Sequence, residues 1–139
     1  MLFTPIMLLQ IAFANPPQSF AHLKKVDTNG NGVLYVDPSV DCPSDRQPRA
    51  HNEDIDTGFH PFELCTVTIK GIPMRIVFNI GPSDEPTFDI IPSKTGIRPL
   101  SLNGTRLYIP KGNDIYVEGW TNSMYNHRRK YSFNGKQFE

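Results

Sequence analysis

The chain lacks most of what marks a function in a sequence. It carries no net charge, because 14 Lys plus Arg balance 14 Asp plus Glu. A neutral chain exerts no overall pull on nucleic acid or an anionic membrane. It has two cysteines, Cys42 and Cys65, with no C-x-x-C, which is not the spacing of a zinc site. No G-x-S-x-G, H-E-x-x-H, phosphate loop or dinucleotide fingerprint occurs. No catalytic residue is therefore assigned, and the chain reads as non-enzymatic. A paired-carboxylate hydrolase of the cell envelope is kept as an alternative, because such a pair leaves no spacing signature. No apolar run is long enough to span a bilayer as a helix.

Thirteen prolines and ten glycines are present. They break helices and favour short strands joined by turns. At 139 residues the chain is expected to form one domain with one core. Met1 to Ala14 is apolar and uncharged and ends in Ala12-Phe13-Ala14. That reads as a secretory signal peptide cut after Ala14, with a cut after Ala21 as the alternative. The expectation is an exported chain, periplasmic or secreted, with residues 15–139 as its single β-rich domain. In an oxidising compartment Cys42 and Cys65 are then expected to form a disulfide. It would close a loop of about 24 residues and stabilise by about 3 kcal/mol.

The fold class expected is all-β, with at most one short helix near Phe20. A small antiparallel sandwich, open barrel or meander of about seven or eight short strands accounts for the pattern. Strands are expected at 33–36, 62–69, 72–80, 87–91, 100–102, 105–109 and 114–120. Lys70-Gly71 reads as the turn of a hairpin, Asn103-Gly104 as a second tight hairpin, and Asn134-Gly135 as the turn of a closing one. Ser39 to Pro61 reads as a long irregular loop. Its His51, Glu53, Asp54, Asp56 and His60 match no metal spacing and read as solvated.

One stretch carries a chemical pattern. Asp27, Asn29 and Asn31 place side-chain oxygens two residues apart, and Gly32 follows at the turn. This is the opening of a calcium loop, with the Val33 carbonyl as the next ligand. The twelfth position, where an EF-hand needs Glu, is Pro38, and the segment after Gly32 is β-like, so a helical hand is not expected. The stretch resembles the Asp-x-Asn-x-Asp-Gly loops that lead into strands in integrin-type FG-GAP repeats. With the Cys pair and the closing Tyr131-Ser132-Phe133-Asn134-Gly135-Lys136-Gln137-Phe138 segment, the chain also resembles small exported bacterial β-rich proteins. The resemblance implies weak calcium binding, with Asp37 standing in for the missing carboxylate if the backbone bulges.

The remaining signal concerns partners. Trp120, Tyr125, Arg128 and Arg129 are residue types that dominate protein interfaces. His127-Arg128-Arg129-Lys130 reads as a solvated hairpin tip. The expected function is that of an exported binding protein, of inhibitor or immunity type, that blocks a protein partner in the envelope. A calcium-binding interaction module is the other alternative.

Overall fold

The computed structural model describes residues 18–28, 32–43, 62–80, 86–121 and 125–139. The leader, Asn29 and Asn31, and the cluster from His51 to His60 lie outside them. A short 3-10 helix, Gln18–Phe20, is followed by nine strands among the described residues. These are β1 (Lys24–Asp27), β2 (Val33–Val36), β3 (Phe62–Ile69), β4 (Ile72–Ile80), β5 (Pro86–Pro92), β6 (Leu100–Asn103), β7 (Arg106–Ile109), β8 (Asp114–Thr121) and β9 (Tyr125–Ser132). They form two sheets, ordered β1-β2-β7-β8-β9 and β3-β4-β5-β6. All pairings are antiparallel except β2 with β7, which is parallel. The chain is an all-β sandwich, as its composition and turn spacing suggest.

The core follows from alternation along the strands. Leu34 and Val36, Leu107 and Ile109, and Ile115 and Val117 face inward from the five-stranded sheet. Met74, Ile76 and Phe78, then Phe88 and Ile90, then Leu102 meet them from the other sheet. In β3 the register shifts between Glu63 and Cys65. A bulge of this kind lets two consecutive residues, Leu64 and Cys65, both be buried. It also aims Cys65 at Cys42, with which it forms a disulfide, Cα to Cα 4.5 Å. The bond ties the segment after β2 to the outermost strand of the second sheet.

The Lys70-Gly71 turn forms as expected, with φ of 53° and 78°, the positive pair that a two-residue hairpin needs. The closing turn also forms: Gly135 has φ 98°, and Phe133 bridges Phe138. The Asn103-Gly104 hairpin does not. β6 pairs with β5 and β7 with β2 and β8, so this dipeptide carries the chain from one sheet to the other. The Gly104 amide donates to Pro86 O at 3.2 Å, and the next amide, Thr105, donates to Glu118 O at 2.8 Å. Glycine is required here by close approach and not by a positive φ: a Cβ would lie 2.6 Å from Glu118 O.

One strand is added and one further reading is corrected. Lys24–Asp27 is a strand, so Asp27 ends β1 and the ion-like loop is the connection of a β1–β2 hairpin. Arg128 to Lys130 form no hairpin tip. They lie within β9, paired along β8 as Glu118↔Arg128, Val117↔Arg129 and Tyr116↔Lys130. Cross-strand charge and aromatic pairing extends the strand past a run that looks merely solvated.

Candidate functional site

The two outer faces of the sandwich differ. Outside β3–β6 most residues are polar and several pair across strands, as in Asn79 to Asp89 at 3.0 Å and Arg75 to Glu63 at 3.1 Å. Outside the five-stranded sheet lies a second, smaller core of Phe20, Leu23, Tyr35 and Tyr108, with Val33 and Tyr116 against it. Alternation explains it. Val33 and Tyr35, Arg106 and Tyr108, and Tyr116 and Glu118 are the positions of β2, β7 and β8 that face away from the main core. The N-terminal 3-10 helix lays Phe20 over them. Its ring stacks on Tyr108 with centroids 4.6 Å apart, and Tyr108 stacks on Tyr35 at 5.0 Å.

Glu118 is a carboxylate in this apolar setting, only 5% exposed. The Tyr108 hydroxyl donates to its Oε1 at 2.9 Å, and Arg106 lies 3.6 Å from the same oxygen. Arg128 Nε donates to Oε2 at 3.0 Å. Both carboxylate oxygens are thus held, which a buried charge requires. Burial pushes the Tyr108 phenol above its ordinary value; the Arg106 hydrogen bond opposes this and Glu118 adds to it. The guanidinium of Arg128 also sits 5.6 Å from the Phe20 ring centroid, within cation–π range. Chemically, this cluster fixes β9. It places Arg128 at the edge of the sheet with its charge partly neutralised, while Arg129 and Lys130 remain exposed beside it.

Arg128 and Arg129 therefore do not form one patch. As neighbours in a strand they point to opposite faces. Arg129 turns toward the sheet crossing, where it donates to Asn103 O at 2.9 Å and to the Tyr131 hydroxyl at 3.3 Å. Trp120 and Tyr125 belong to the far end of the β8–β9 hairpin, in the pairs Trp120↔Asn126 and Thr121↔Tyr125.

Within the calcium set, the two described carboxylates, Asp27 and Asp37, separate in the same way. Asp27 pairs with Val33 at one end of β2. Asp37 follows the other end, about 13 Å along the strand. Its carboxylate accepts from the Ser39 amide at 3.1 Å and from the Ser39 hydroxyl. These bonds, the hydroxyl's first, hold it below the usual carboxylate range. In the β1–β2 connection the Thr28 hydroxyl donates to Gly32 O at 2.6 Å. Gly32 is needed for packing: a Cβ there would lie 2.4 Å from Phe78 Cε1. Around Asp37 opens a cleft of about 360 Å³ whose lining includes Ser39, Asp41, Thr66, Thr68 and Lys111. Among the described residues no three His, Cys, Asp or Glu converge as metal ligands.

Sequence reasoning missed Glu118, Tyr108, Arg106 and Phe20. The signal was present in the strands themselves. Tyr35, Tyr108 and Tyr116 all fall at outward positions, where a solvated face does not call for aromatics. No family model, curated protein or solved structure matches the chain. Its function has to be read from its own geometry.

Proposed function

We propose that the chain is an exported, non-enzymatic binding protein that engages a protein partner in the cell envelope through the β8–β9 hairpin. The observation that carries this reading is the exposed cationic strand β9, fixed from beneath by the buried Glu118 cluster. A rigid scaffold that presents charged side chains at an edge favours recognition by complementary charge. The Cys42–Cys65 bond fits an oxidising compartment. Phe20 supports removal of the leader after Ala14. A cut after Ala21 would take away the ring stacked on Tyr108 and expose the second core. Glu118 has both oxygens held by cations and a phenol, an arrangement suited to a structural ion and not to proton transfer.

The test is co-purification from the envelope of the source cell with a tagged mature chain. The expected result is a stoichiometric complex that survives gel filtration and weakens when Arg129→Glu and Lys130→Glu are combined. Recovery of the same complex, unweakened, with that double variant would remove the β9 surface from the proposal. Turnover of a cell-wall substrate by the purified chain would favour the hydrolase alternative.

A further inference from the structure

β9 is an outermost strand, and no described segment pairs along its outer side at Arg128 or Lys130. The direction of its backbone groups can be read from its end. The Ser132 amide donates to Glu139 O at 3.0 Å, and Ser132 O accepts from the Glu139 amide at 2.9 Å. Phe133, one residue on, donates the other way, to Asn113 O at 2.9 Å. Backbone groups alternate along a strand. The N–H and C=O of Lys130 and Arg128 therefore point outward, on the same side as those of Ser132. The chain's own Glu139 already uses that edge in the way an added strand would.

The charges on this edge select what can add. Arg128, Arg129 and Lys130 are all exposed. A second copy in antiparallel register would set cation against cation, which is destabilising. Charged edges of this kind keep sheets from pairing with themselves. They leave the edge open to a strand of the opposite sign. Lys130 makes no ion pair with any described residue, and Arg128 is 42% exposed despite its bond to Glu118.

Resting on the binding reading above, we propose that β9 receives an extended acidic segment of the partner as an added strand. The segment hydrogen-bonds to the outward backbone groups of Arg128 and Lys130 and sets carboxylates against their side chains. Main-chain bonds supply affinity and the charges supply register and specificity.

The probe is a synthetic peptide of about ten residues that alternates glutamate and valine, a length that matches one strand. Calorimetric titration of the full mature chain is expected to show binding that weakens as salt rises. Amide exchange is expected to slow at Arg128 and Lys130 and not at Arg129 or Tyr131, whose amides face β8. Lys130→Glu is expected to weaken binding at least tenfold. Lys130→Pro removes from the backbone only an outward donor, which an edge strand tolerates, and removes the side-chain charge with it; it is expected to abolish binding. A peptide N-methylated at alternate residues repeats that test without touching the protein, and it too should not bind. Equal binding by the methylated peptide, by a lysine-for-glutamate peptide or by a single-stranded oligonucleotide would overturn strand addition. So would self-association of the chain through β9. If the peptide fails while the envelope complex still forms, strand addition is rejected and the binding reading stands.

Discussion

The main core and the smaller outer core of this sandwich solve the same problem by different chemistry. Between the sheets, aliphatic side chains and the Phe78–Phe88 pair fill a closed space whose residues are fully or nearly buried. Outside the five-stranded sheet, three aromatic rings, an aliphatic side chain and a carboxylate are packed under one short helix. The first core is held by area removed from water. The second adds directed bonds, and those bonds fix one particular strand, β9. The difference shows that the inner core specifies the fold and the outer one specifies a surface.

Substitutions break this comparison in order of cost. Phe78→Ala empties the closed core and is expected to cost about 3–5 kcal/mol, read as a fall in the urea midpoint. Glu118→Ala leaves Arg106 without its partner in a half-buried site and should cost about 2–4 kcal/mol. Glu118→Gln keeps the shape and the Tyr108 bond and should cost about 1–2 kcal/mol. An equal loss from the two Glu118 variants would mean that charge alone matters. Phe20→Ala should cost about 1–2 kcal/mol, because water can enter at that rim. A loss as large as that of Phe78→Ala would show that the outer core is sealed as tightly as the inner one.

Alkaline pH sharpens the contrast without a cavity. The folded Tyr108 phenol titrates above its unfolded value. Its contribution to stability is therefore complete below about pH 10 and is lost as pH rises from there. Tyr108→Phe should lose less stability than the parent chain between about pH 8 and about pH 11. An identical loss would remove Tyr108 as the titrating group. The smallest effect belongs to Asp37→Ala, about 0.5 kcal/mol or less, since its bonds to Ser39 are exposed. That variant also tests the ion loop. Any calcium-dependent rise in melting temperature should survive Asp37→Ala and disappear with Asp27→Ala. Loss in the Asp37 variant would restore the two carboxylates to one site.

The fold was legible where a strand's outward residues are polar. β4 and β5 could be placed from alternation and from Lys70-Gly71 alone. Reading failed where one residue type serves two physical needs. Gly104 and Gly32 resemble turn glycines, yet each is there because another group packs against its Cα. β1 was hidden because Lys24-Lys25-Val26-Asp27 offers only one apolar residue, and its place in the sheet depends on pairing with β2. The candidate surface was half legible. Arg128 and Arg129 were visible as a cationic run, but the carboxylate that positions one of them lies on the neighbouring strand, ten residues away.

The parallel pair of β2 with β7 has a consequence for the order of assembly. Val33 meets Arg106 with the whole four-stranded sheet between them in sequence. That sheet is a meander of neighbours and closes only short loops. The five-stranded sheet must close the long one, which costs more entropy before any contact repays it. The meander is therefore expected to form first, and β2 waits with an unpaired edge until β7 arrives. Ile76→Val should then slow refolding, whereas Ile109→Val should mainly speed unfolding, in stopped-flow chevrons. The reverse pattern would place β7 in the nucleus. During that wait the chain exposes its most pairing-prone edge, and this interval is when it is most open to aggregation.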